Sequence, residues 1–420
     1  MCTRVLTGAL IMGLMAGGIG QAIGAERFEV VSWLDHFDFA AIPQGDGFVF
    51  DSETVEGCGK IISHVEEVGT TTILWRNCAG STMRYQSKAE SHHQDVVLDK
   101  RRVPDTRPVW GWVHYGAAEP DQVQSALDIS RERGMKPGIH WPFEENHGGI
   151  WTFGRWNLEH PQFWCKSADG QVWPGRSSIA YPEVMAHKLE LVQELLDRGM
   201  ESLFIDTFRS GGWSPAFEYS DPVVAAWRAQ YNADPPENPT DLRWCQHVAG
   251  YVTEFLRQIR AKLDASGRKV DLMVGVFGVT ADGTAPLIQR GADWHTWVDE
   301  GIIDTLVING APWDAKDPFE STRTICRAIM DRVDGKCRVL WPVRSYDYGG
   351  YGMPSYAKAT GLKQHEIAEK LMRMAWEEGA AGISLECVDY NNYNAETRKV
   401  MRELAEGDCR FVREARVEGQ

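Results

Sequence analysis

The sequence has no block of lysine and arginine: over 420 residues, 44 Lys and Arg stand against 59 Asp and Glu, a formal net charge of −15. That balance excludes a polyanionic partner such as nucleic acid, because no basic cluster rises above the acidic background. Beyond the first two dozen residues no apolar run is long enough to span a bilayer. CxxC pairs are missing, which removes the usual spacing of a zinc site. No phosphate-cradling Gly-rich turn follows the first strand-like run, so no nucleotide cofactor is expected. Linkers of Pro/Ser/Gly type, short repeats and low-complexity blocks are also lacking, and a single domain is expected over residues 26–420.

Aromatic residues, in contrast, are plentiful. Seventeen Trp and twelve Tyr exceed what a chain of this length needs, and amphipathic rings beyond the needs of a core often line ligand clefts. Core packing is the competing account for most of them. The N-terminus has a basic start, Met1 to Arg4, and an apolar middle, Val5 to Ala16, followed by small residues around Ala22 and Ala25. This is the pattern of a secretory signal over residues 1–25, and it implies an exported, periplasmic or extracellular mature chain. Of nine cysteines Cys2 would leave with the signal, and the remaining eight could form disulfides in an exported chain or stay as buried thiols. Cys326 with Cys337 is the one pair that proximity suggests.

Eight strand-like runs alternate with amphipathic helical stretches, at residues 30–34, 72–75, 137–141, 203–206, 272–277, 305–309, 338–343 and 381–386. Their apolarity is continuous rather than alternating, as in strands buried on both faces of a parallel sheet. Gly134, Gly199, Gly301 and Gly379 stand where helices should stop before the next strand. A (β/α)8 TIM barrel is the economical solution. Long βα loops follow strands 2, 3, 4 and 7, at about residues 77–118, 143–181, 210–240 and 344–362, on the face where such barrels build active sites.

Between about residues 110 and 315 several segments fall in a recognisable order: Arg131–Trp141, Leu158–Pro161, Ala180–Val184, Asp197–Gly199, Ile205–Arg209, Glu218–Pro222 and Asp293–Asp304. In order and spacing they resemble the glycoside hydrolase-like 10 family of exported (β/α)8 proteins. The resemblance implies a glycosidase-like barrel acting on carbohydrate, with the strand-4 aspartate, Asp206, as its central acid. This sequence departs from the family after that residue, where Thr207 follows and Ser210-Gly211-Gly212 replaces an aromatic-proline ending.

Glycoside hydrolysis needs a proton donor for the leaving oxygen and a carboxylate that attacks the anomeric carbon or activates water. Asp206, ending the apolar run 203–206, suits the carboxylate role; an ion pair with Arg209 is the structural alternative. Glu386, ending the run on strand 8, is the candidate general acid, with Arg344 as the partner that would make it merely structural. Strands 4 and 8 face each other across a barrel, which favours the inverting separation of roughly 6.5 to 9.5 Å over the retaining one near 5 Å. Glu144 and Glu145, just past strand 3, are competing donors. Asp35, His140, Trp141, Arg209 and Asn309 at strand ends, with Tyr348 and Tyr390 in later loops, are candidates for holding sugar hydroxyls and rings. Two other classes are weighed: a catalytically dead barrel that binds glycans, and a metal-dependent hydrolase built on His92-His93-Gln94-Asp95 or Glu144–His147. Neither of those stretches has the spaced ligand pair that a catalytic zinc requires, and no metal site is expected.

Overall fold

The computed structural model describes residues 28–34, 54–91, 121–143, 153–207, 214–277, 287–310, 314, 316–346, 352–386 and 393–406. Eight strands form the barrel: β1 (Glu29–Trp33), β2 (Thr72–Arg76), β3 (Lys136–Pro142), β4 (Ser202–Asp206), β5 (Asp271–Phe277), β6 (Thr305–Asn309), β7 (Arg338–Pro342) and β8 (Gly382–Glu386). They pair in parallel around a closed ring, with β8 returning to β1. Each matches its expected run to within one residue at either end. The chain is a (β/α)8 TIM barrel, as its alternating pattern indicated.

The continuous apolarity of the strands has a direct cause: each strand feeds two cores. Facing inward, Val31, Trp33, Leu74, Phe204, Met273, Val307 and Leu340 fill the lumen. The alternate residues face outward, as with Ile73, Ile139, Leu203, Val274 and Ile383, and meet the helices in a second, larger core. Partners in a ladder share a face, so register extends the lumen assignment. Leu74 pairs with Trp33 and Gly138, and Gly138 with Ser202; Arg76 pairs with His140, and His140 with Phe204. Gly138 is dictated by this crowding, because a Cβ there would lie 2.5 Å from Leu74 Cδ2 and 2.9 Å from Ser202 Cβ. Most of the described tryptophans go into packing: Trp75, Trp227, Trp244, Trp294, Trp297 and Trp341 are fully buried.

The helices are α1 (Val55–Glu66), α2 (Gln122–Glu132), α3 (Pro182–Asp197), α4 (Leu242–Ala265), α5 (Trp294–Asp299), α6 (Pro318–Val333), α7 (Gln364–Glu377) and α8 (Ala395–Glu406). Side chains at their starts satisfy exposed backbone donors, as Thr54 does for α1, Asp121 for α2 and Asp241 for α4. The expected glycine stops are seen. Gly199, with φ +88°, lets the chain leave α3 through a left-handed turn closed by Met200 N–H donating to Leu195 O, and β4 begins two residues later.

At the amino-terminal ends of the strands an ionic cluster forms around the buried Asp271, with partners that are partly exposed. Arg338 pairs with both Asp271 and Glu29, Lys136 Nζ lies 3.2 Å from Asp271, and Thr305 donates to Asp271 at 3.0 Å. Burial works to raise the Asp271 carboxyl, but Arg338 and Lys136 outweigh it and hold the group below its ordinary range. Conversely, the insertions lie at the carboxyl ends. The loop after β3 carries a short helix, Arg155–Glu159, and a hairpin, Trp164–Lys166 with Val172–Ser177; the loop after β4 carries the helix Asp221–Tyr231.

One expectation is corrected. Cys326 and Cys337 are both free thiols, as are Cys58, Cys78, Cys165 and Cys245. Cys326 is sunk in the outer core on α6, where it packs as a small hydrophobe, and burial pushes its thiol well above the ordinary range. Burial also pushes Cys337 up to about 12. The proposed signal segment lies outside the described residues. Among those residues no helix is long and apolar enough to cross a membrane.

Candidate active site

The register that fills the lumen also decides which side chains reach its carboxyl-end mouth. Two residues beyond Phe204 lies Asp206, two beyond Val307 lies Asn309, and two beyond Leu74 lies Arg76, all on the inward face. Glu386 pairs with Trp33, which places it on the same face of β8. Arg76 lies one residue past the run expected at 72–75; it is fully buried and donates from Nε to Cys78 O at 2.7 Å.

Asp206 is fully buried, and its Oδ2 lies 3.1 Å from Nε2 of His140 on β3. The other ring nitrogen of His140, Nδ1, lies 2.6 Å from the carbonyl of Leu34, just past β1. Beneath them Trp33, His140 and Phe204 pack ring against ring, with centroids 5.0 to 5.8 Å apart, and form an aromatic floor. His140 was expected to hold a sugar hydroxyl. Both its ring nitrogens are instead engaged by protein groups: β4, the next strand, brings Asp206 against it, and β1, two strands away, brings Leu34. Trp141 is corrected as well. As the next residue along the strand it points outward, into the core between barrel and helices, where it packs edge-on against Phe143 and Phe255.

Glu386, at 6% exposure, accepts from Tyr346 Oη on Oε2, and Arg344 Nη2 lies 3.6 Å from the same oxygen. The Arg344 contact weighed in the sequence is therefore present, at a length beyond a good hydrogen bond. Tyr346 is an addition: it stands in a loop rich in tyrosines, and the fold brings its hydroxyl to the end of β8.

Asn309 ends β6 at 2% exposure, and neither Nδ2 nor Oδ1 has a hydrogen-bond partner among the described residues. Each unmade bond costs about 1–3 kcal/mol, so this amide does not serve the stability of the fold. A ligand offering one donor and one acceptor, such as two adjacent hydroxyls, would satisfy both atoms. Asp35, Glu144, Glu145, Arg209, Tyr348 and Tyr390 lie outside the described residues, as do His92, His93 and His147. Among the described residues no group of three or more His, Cys, Asp or Glu side chains is placed to hold a metal ion.

A further buried carboxyl was not singled out by the sequence. Glu218, in the loop after β4, accepts from Cys165 Sγ at 2.9 Å, Ser178 Oγ at 2.8 Å and Ser220 Oγ at 3.3 Å. It ties the hairpin of the β3 loop to the β4 loop, a junction that Tyr219 N–H reinforces by donating to Lys166 O. Burial, partly offset by these donors and Arg176, pushes the carboxyl up to about 7 from 4.5. With the folded value above the unfolded one, the native protein binds the extra proton, so this group's contribution is full below about pH 4.5 and is lost as pH rises through 7. Glu218→Gln removes that slope. The stability difference, variant minus parent, should grow by on the order of 3 kcal/mol between those limits in denaturant titrations at several pH values. A difference that stays flat with pH would contradict the assignment.

No protein-family model matches the sequence, and no curated protein matches it either. Solved structures to which the chain is similar include two β-galactosidases. The β-galactosidase of the psychrophilic Marinomonas ef1 superposes with a TM-score of 0.52 at 11% identity, over 90% of this chain and 59% of that one. That of the Antarctic haloarchaeon Halorubrum lacusprofundi gives 0.52 at 10% identity, over 90% and 57%. The chain thus spans less than two thirds of either enzyme. At such identities the likeness is one of fold.

Proposed function

We propose that this protein is a glycoside hydrolase acting on a poly- or oligosaccharide, exported after loss of its first two dozen or so residues. The observation that carries the reading is the pair of buried carboxyls, Asp206 and Glu386, facing inward at the carboxyl ends of opposed strands. Chains rarely bury two acids at one mouth unless the acids act there. In this reading Asp206 attacks the sugar or activates water and Glu386 donates the proton, with inversion favoured by the opposition of β4 and β8. The resemblance to the glycoside hydrolase-like 10 family supports the same class, and the unpartnered amide of Asn309 suits a hydroxyl-rich ligand.

A panel of polysaccharides and oligosaccharides, screened for new reducing ends with the parent and Asp206→Asn proteins, tests the proposal. Parent-only release of reducing ends supports it. Binding without hydrolysis by both proteins would instead make the barrel a glycan receptor. On any substrate found, Asn309→Leu should raise KM by roughly 10-fold or more, the loss expected when polar partners of a hydroxyl are removed, while thermal stability holds or rises. An unchanged KM would take Asn309 out of the binding site.

A further inference from the structure

His140 is fully buried, and its contacts fix its proton inventory. A carbonyl oxygen can only accept, so Nδ1, 2.6 Å from Leu34 O, must carry a hydrogen. The 3.1 Å contact from Nε2 to Asp206 Oδ2 then requires one proton more. That proton sits either on Nε2, giving an imidazolium against a carboxylate, or on Oδ2, giving a carboxylic acid against a neutral ring.

Two considerations separate these states. Imidazole is intrinsically the stronger base of the two. A charged ring also strengthens the short bond to Leu34 O, because ionised donors make stronger hydrogen bonds. Among the described residues, Arg76, the register partner of His140 on β2, and Glu386 on β8, with Arg344 beside it, are the other charged groups at this end of the lumen. Trp33 and Phe204 are apolar rings that neither add nor remove a proton.

The geometry points to His140 as a positioning residue for Asp206: an imidazolium that holds Asp206 by Oδ2 and keeps it ionised inside the barrel. This rests on the reading of Asp206 as the working carboxylate, and it departs from the expectation that His140 touches sugar. Leu34 is part of the device, since its carbonyl fixes which nitrogen faces Asp206.

Nitrogen-15 NMR of the histidine-labelled full chain at neutral pH tests the inference without any substrate, with His140 assigned by the signal lost in His140→Gln. In the parent both ring nitrogens of His140 should be protonated. In Asp206→Asn the amide can donate to Nε2, so the ring should become neutral, with Nε2 bare and Nδ1 still protonated. A parent ring that is neutral with a bare Nε2 would place the proton on Asp206 and overturn the inference, as would a bare Nδ1. Where a substrate is in hand, His140→Gln should lower kcat roughly 10²-fold with KM nearly unchanged, the scale of a misplaced catalytic group. It should add nothing to the loss already present in Asp206→Asn. Losses that simply multiply would show that His140 acts independently of Asp206. If the screen finds no hydrolysis while the spectra match, the hydrolase reading fails and the His140–Asp206 pairing stands.

Discussion

Asp206→Asn lowers turnover by roughly 10³-fold or more while the thermal midpoint stays close to that of the parent. Asparagine keeps the shape of the side chain and loses the charge needed to attack a sugar or take a proton from water, a contribution of about 10²–10⁴-fold for a general base alone. Stability should survive because His140 can release its proton and accept from the new amide across the same 3.1 Å contact. A purely structural ion pair with Arg209, the alternative raised by the sequence, would behave the other way, because a guanidinium cannot release its proton. Removing one partner leaves an uncompensated buried charge at a cost of about 3–5 kcal/mol, while any folded enzyme keeps its rate. The measurement is paired: turnover and melting on one substrate, for parent and variant. A midpoint that falls steeply with turnover per folded molecule unchanged would mean that Asp206 ends β4 for the sake of the fold.

Glu386→Gln should separate substrates by leaving group. The amide has no transferable proton, so glycosides with poor leaving groups should lose about 10²–10⁴-fold in kcat, whereas activated aryl glycosides, which depart with little protonation, should lose far less. Tyr346 can still donate to the amide oxygen in place of Oε2, which preserves the local packing. An equal loss on both substrate types would show instead that Glu386 serves as a fixed charge opposite Arg344.

The barrel was legible because its signal is local and repeated. A strand covered on both faces has to be apolar throughout, and a helix that must turn back into a strand needs a residue comfortable at positive φ, as Gly199 is. Asp206 and Glu386 were legible for a related reason, since a charge ending an apolar run stands out within the run itself. Their partners were not. The contact of His140 with Leu34 depends on the β1–β2–β3 register, which joins residues 106 positions apart. Trp141 and His140 looked equivalent in the sequence, and only the pleat assigns one to the lumen and the other to the outer core. Glu218 escaped notice because its donors are two serines and a cysteine drawn from separate segments, with no spacing that marks them. The disulfide suggested by Cys326 and Cys337 rested on nearness in sequence, which says nothing about the direction of a buried helix face.

Those thiols have a use in measurement. Five of the six described cysteines are buried and the sixth is half-covered, so an alkylating reagent reaches most of them only when the surrounding element opens. They are spread across the molecule: Cys165 lies in the Glu218 junction of the insertions, and Cys326 on α6 against the barrel wall. Mass-resolved alkylation over time therefore reads the opening free energy of each part separately. Equal protection at Cys165 and Cys326 would mean that the loops carrying the Glu218 junction are cooperative with the barrel, while early reaction at Cys165 would mark them as a layer that detaches with the barrel still closed.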